Sequence, residues 1–75
     1  MIHETYIENM KLDVARAIKS YAEDNKMNQV DMAYLLQVGQ PRVSKVFKED
    51  VAGITLDRLL IWAYDLGITV TFQIN

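Results

Sequence analysis

The chain contains no cysteine, which excludes disulfides, a thiolate nucleophile and any cysteine-based metal site. Its one histidine, His3, stands beside the N-terminus, where a solvated side chain is expected rather than a ligand or a base. No glycine-rich phosphate loop and no cluster of metal-ligating residues is present, and the neighbouring acids Glu49 and Asp50 have ordinary turn composition rather than the arrangement of a general acid and base. These absences argue against an enzyme and imply no cofactor and no metal. No apolar run approaches the length that crosses a bilayer, and the first residues lack the charged and apolar blocks of a signal peptide. A cytoplasmic protein with no membrane partner is expected. Repeats, low-complexity stretches and internal linkers are missing too, so the chain reads as a single domain over residues 1–75.

A domain of this size buries only about 60% of the surface its unfolded chain exposes, so it is marginal alone and would gain from dimerisation. Hydrophobic residues make up 51% and charged residues 24% of the sequence, a globular composition rather than a disordered one. A formal charge of −2 and a pI near 5.1 exclude a polycationic, non-specific nucleic-acid binder. They do not exclude a sequence-specific one, because the charges are unevenly placed. Arg42, Lys45 and Lys48 form a block free of acids, whereas Glu4, Glu8, Asp13, Glu23 and Asp24 lie upstream, where they would reduce non-specific sticking without opposing close phosphate contacts.

Residues 29–48, QVDMAYLLQVGQPRVSKVFK, hold the densest signal. Asn28 is a good N-cap, with Met27 and Met32 at hydrophobic-staple spacing around it, so a helix is expected from Gln29. Met32, Ala33 and Leu36 share a face, and small Ala33 leaves room for a second helix to cross closely. The pattern stops at Gln37, Val38 and Gly39. Pro41 is at home only in the first turn of a helix, where its missing N–H removes no bond, so a second helix is expected from about Gln40. There Val43 and Val46, with Phe47 beside them, face inward, while Gln40, Pro41, Ser44, Lys45 and Lys48 face outward on a polar, basic surface. Plain helix packing also produces apolar spacing of this kind. The coincidence of Ala33, Gly39, Pro41 and a basic, acid-free second helix favours a DNA-reading element.

This stretch resembles the lambda repressor/Cro-like (Xre) helix-turn-helix family. Gln29, Ala33, Val38, Val43, Ser44 and Val46 match its pattern, and QPRVS at residues 40–44 is similar to its short single-domain members, among them phage regulators and HigA-type antitoxins. Two positions depart from it: the family usually has Gly where Gln37 stands and Ser or Thr where Gly39 stands. Gln37 would then have to hold a left-handed conformation, Gly39 lacks a capping hydroxyl, and the turn is expected to be slightly altered.

Upstream, TYIE at residues 5–8 has capping-box form and opens a helix expected to end near Asn25, with Ile7, Met10, Val14, Ala17, Ile18, Tyr21 and Ala22 as its apolar stripe. Leu12 is the apolar exception on its opposite, solvated face. Downstream, residues 49–53 read as a loop, Thr55 caps a helix running through Leu66 with Leu56, Leu59, Leu60, Ala63 and Leu66 buried, and Gly67 stops it. Ile61, Trp62 and Tyr64 lie outside or beside that stripe, as Val30, Tyr34 and Leu35 do on the earlier helix, and together they suggest a partner surface. Residues 68–74, ITVTFQI, alternate strictly and read as a strand. Residues 1–4 are a weak partner for it within the chain, so pairing with the same strand of a second copy is expected. The fold class is thus mainly α: four to five helices in a lambda-repressor-like domain, with a C-terminal strand paired across a homodimer.

The expected function is sequence-specific recognition of double-stranded DNA by a transcriptional repressor acting as a homodimer. Gln40 suits bidentate bonding to adenine, Pro41 a thymine methyl, and Arg42, Ser44 and Lys45 base edges or backbone. Lys48 is expected on a phosphate, and Asn28 at a helix start is foremost a cap and secondarily a phosphate contact. The family resemblance implies for Gln29 a phosphate contact that also buttresses the base-reading side chain. Dimerisation is expected through Ile68, Val70, Phe72 and Ile74, with Ile61 and Trp62 as the next place to look. The alternative is an antitoxin that silences a partner toxin and autoregulates its operon.

Overall fold

A computed structural model describes residues 4–72, and among them four helices form: α1 (Glu4–Asp24), α2 (Gln29–Leu36), α3 (Gln40–Phe47) and α4 (Leu56–Asp65). α1 packs on α3 and α4, and α2 packs on α3. The core that joins them is wholly apolar. Val14, Ala15, Ile18 and Ala22 come from α1, Met32 from α2, Val43 and Val46 from α3, Leu59, Trp62 and Ala63 from α4, with Val51, Ile54 and Leu66 closing it from the connections. Where Ile18, Met32, Leu36, Val43, Val46, Phe47 and Trp62 converge, the remaining gap is too small for a water molecule. Burying such side chains is worth about 1.5–3 kcal/mol each, which is what holds together helices of only eight to ten residues.

The helix starts at Gln29 and Gln40 fall where the capping signals place them, and Thr55 caps α4 by accepting a 3.1 Å bond from the Arg58 N–H. Four expectations need correction. α1 already contains Glu4, so Thr5 lies inside the helix and is not its cap. Its buried face is also broader than one stripe, because two helices press on it: Ala15 is fully buried and Leu12 packs against the core, whereas Ile7 is exposed. Trp62, expected beside a dimer interface, is only 3% exposed and belongs to the core.

The fourth correction concerns the C-terminal segment. No β-strand occurs among the described residues, and residues 68–72 run without a hydrogen-bonded ladder. A strand needs a partner, and this chain supplies none among those residues. The alternation is still used: Ile68, Val70 and Phe72 are half-buried against the protomer's own core, and Thr69 and Thr71 are exposed. Ile74 and residues 1–3 lie outside the described residues.

All four helices stop in the same way. One residue enters the left-handed region, Lys26 (φ 54°), Gln37 (φ 56°), Glu49 (φ 60°) and Gly67 (φ 77°), and two backbone N–H groups fold back onto free carbonyls. After α2, for example, the N–H of Val38 reaches the Ala33 carbonyl at 3.1 Å and that of Gln37 reaches Tyr34 at 3.3 Å; after α4 the N–H groups of Ile68 and Gly67 make the same pair of bonds to Ala63 and Tyr64, each at 2.9 Å. This is the Schellman arrangement. Only α4 ends on the residue type best suited to it. The left-handed conformation disfavours a non-glycine residue by about 1–2 kcal/mol, against about 0.5–1 kcal/mol of extra chain entropy that glycine loses on folding. Gln37→Gly is therefore expected to stabilise the domain by about 0.5–1 kcal/mol in urea unfolding; a lower midpoint than the parent's would mean that Gln37 makes a side-chain contribution larger than its backbone strain.

Candidate nucleic-acid interface

α2 and α3 are joined by the turn at residues 37–39, and the shape of that turn decides what α3 presents. Gln37 supplies the left-handed residue (φ 56°, ψ 46°), as its place in the turn required. Gly39 does not share that duty. It is the N-cap of α3 in extended backbone (φ −68°, ψ 145°), and a Cβ built on it would meet only Pro41 Cδ at 3.6 Å, an ordinary contact. Pro41 then sits in the first turn of α3, where its fixed φ favours helix and no N–H is wasted. Val43 and Val46 anchor the helix in the core. Gln40, Pro41, Arg42, Lys45 and Lys48 are consequently exposed and Ser44 half-buried.

The geometry gathers four of the sequence-selected residues at one place. Gln29, half-buried at the start of α2, together with Gln40, Pro41 and Ser44 of α3, lines an open concavity of about 220 Å³. Lys45 lies further along α3 and Lys48 caps its C-terminal end, and neither forms an ion pair with described residues, which leaves both ammonium groups available. Asn28 is committed to its cap. Its Oδ1 accepts a 2.8 Å bond from the Asp31 N–H, and Asp31 Oδ2 accepts a 3.1 Å bond from the Asn28 N–H, so two otherwise free donors at the start of α2 are satisfied reciprocally. The Asn28 amide nitrogen makes no bond to another described residue and remains a donor at the positive end of the helix.

Arg42 faces differently from the other cations. With Gly53, Ile54, Thr55 and Arg58 it lines a second concavity, of about 150 Å³, at the N-terminus of α4. Arg58 is exposed and was not singled out by the sequence pattern, because its position on α4 reads as a solvated face until the fold sets it beside Arg42. A spacing of sixteen residues across a loop carries no local signal. Arg42 and Arg58 thus bring two positive charges together between α3 and the start of α4, where Asp57 is also exposed, and the first turn of α3 holds no acidic residue.

A short helix, a left-handed turn and a second helix with an exposed cationic face define a helix-turn-helix domain of the DNA-binding class. A model of the helix-turn-helix domain family matches residues 3–75, and the chain belongs to that family. Neither the curated proteins nor the solved structures contain a match to it. No helix among the described residues is long and apolar enough to cross a membrane.

Replacing Asn28 with alanine removes one arm of the capping box and is expected to lower stability by about 1 kcal/mol. Thermal melts of Asn28→Ala and Asn28→Asp check this, since aspartate can keep the cap; an alanine variant that melts with the parent would show that the capping bonds contribute nothing net.

Proposed function

We propose that this domain is a sequence-specific transcriptional repressor that binds a palindromic operator as a homodimer. The observation that carries the reading is the convergence of Gln29, Gln40, Pro41 and Ser44 on one exposed concavity, at the end of a helix whose outer face bears cations and no acid. Glutamine presents a donor and an acceptor side by side, the pattern that adenine N7 and N6 complement in the major groove. Gln40 accordingly reads a base, and Gln29 contacts a phosphate and supports it. Pro41 and Ser44 meet base edges, Lys45 a base edge or the backbone, and Arg42 a guanine or, with Arg58, the backbone along the start of α4. Lys48 and Asn28 contact phosphates and set register without reading sequence.

One such element makes few base contacts, so two copies must be held with their recognition helices about 34 Å apart, one turn of DNA. Residues 68–74 fix that spacing by pairing antiparallel with the same segment of a second copy. Two features support this: the N–H of Val70 bonds to no other described residue, and a groove of about 580 Å³ with Leu60, Tyr64, Ile68 and Val70 in its wall runs alongside the segment. Half-exposed Ile61 extends the apolar surface.

A second reading, an antitoxin that neutralises a toxin and represses its own operon, is favoured by the outer face of α2. Tyr34 is 87% exposed there, flanked by exposed Val30 and Leu35, an apolar face on no path to the core. Co-purification with the product of the adjoining gene separates the two readings, and Tyr34→Glu abolishes the association if the face is the contact.

Footprinting on DNA upstream of the protein's own gene locates the operator. On it Gln40→Ala is expected to lose about 1–3 kcal/mol of binding energy, with little change on random duplex. Equal losses on both would move Gln40 from base reading to backbone positioning. Val70→Pro deletes a donor at the centre of the pairing segment and is expected to sediment as a monomer, keep its helical circular dichroism and lose operator binding far more than random binding. A dimer with parental affinity would place the interface elsewhere, with Ile61 the first candidate.

A further inference from the structure

Glu49 is the acid nearest in sequence to the cations of α3, and it follows Lys48 directly. Its backbone is left-handed (φ 60°), and among the described residues it is the one helix-ending left-handed residue whose side chain has a partner. Arg16 of α1, thirty-three residues earlier, donates from Nε to Glu49 Oε1 at 2.7 Å. The arginine side chain is 59% exposed and the glutamate 34%. An ion pair this exposed adds little stability, about 0–1 kcal/mol at most. Its more consequential effect is on where the negative charge sits.

We infer that Arg16 is a positioning residue of the DNA interface, one that holds the Glu49 carboxylate against α1 and neutralises it, so that it does not repel the phosphate Lys48 contacts. The inference rests on the DNA-binding reading of α3. The left-handed turn carries the Glu49 side chain off the line of α3 and toward α1, and the guanidinium keeps it there. Without Arg16 a flexible carboxylate one residue from Lys48 is free to approach the phosphate backbone. A unit charge at about 7–10 Å from a phosphate in water repels it by enough to change affinity about twofold, and more when two phosphates are in range. The effect is independent of base sequence and fades as salt screens it.

The test is a three-variant cycle, Arg16→Gln, Glu49→Gln and both together, titrated by fluorescence anisotropy on the footprinted operator and on a random duplex, at low and at moderate salt. Arg16→Gln is expected to weaken both duplexes alike by about two- to fivefold at low salt, with the deficit shrinking as salt rises. Glu49→Gln is expected to bind as the parent does or slightly tighter, and the double variant to return to the Glu49→Gln level. Arg16→Lys, which keeps the charge, should stay near the parent. A double variant as weak as Arg16→Gln would overturn the inference by showing that Arg16 touches DNA itself, and a Glu49→Gln variant as weak as Arg16→Gln would overturn it by making the pair a structural tie. Melting curves of all four, expected close to the parent, separate binding from folding. If the parent binds neither duplex, the functional reading fails and this inference with it; if the parent binds and Arg16→Gln is unaffected, only the inference fails.

Discussion

A helix ends with four carbonyls that have no intrahelical partner, and in so small a domain those ends lie close to the core. Everything else in this fold depends on how they are satisfied. The chain uses one solution four times, a left-handed residue followed by two backward N–H bonds, and each use turns the backbone sharply enough for the next segment to fall across the helix just completed. Met27, Val38 and Ile68 each follow one of these turns directly and pack against the core, so the reversal also delivers an apolar side chain inward. The cost is that three of the four left-handed positions are occupied by residues that prefer other conformations. The wholly apolar core has to cover that strain, and the absence of any buried, unbonded side-chain polar atom among the described residues means it covers little else.

What the amino-acid pattern revealed tracks how local each cause is. Asn28, Gln37, Pro41, Thr55 and Gly67 act within a turn of where they stand, and the boundaries of α2, α3 and α4 and the left-handed Gln37 could be read from them directly. The width of α1's buried face could not. It depends on two helices docking against α1 from different directions, which turns Ala15 and Leu12 inward against the simple stripe. Trp62 was misplaced for the same reason: on a helical wheel it flanks the leucines, and only the position of α1 and α3 makes that flank interior. Strict alternation over residues 68–72 correctly identified one apolar side and one polar side, but alternation does not say whether the backbone has a partner.

The candidate interface shows the same division. Gln29, Gln40, Pro41 and Ser44 are brought together by the turn that their own neighbours specify, and they were legible. Arg58 and the Arg16–Glu49 pair were not, because each is a meeting of segments far apart in sequence and neither meeting has a local signature. The placement of the acidic residues is likewise explained only in three dimensions: of the two acids that follow α3, Glu49 is paired with Arg16 while Asp50 is exposed and makes no ion pair with described residues, and α1, which carries much of the remaining negative charge, meets α3 through its apolar side.

The four-fold repetition of the helix stop has a consequence for how the molecule assembles. Each stop closes within six residues, so a helix and its exit can form as one local unit before any distant contact exists. Tertiary assembly then reduces to docking preformed pieces, with the closing of α4 onto α1 as the longest loop to be brought together. Chains whose order is built this way fold in about microseconds to milliseconds, fast enough that the apolar faces of α2 and α4 spend little time open to a neighbour before their buried sides are covered.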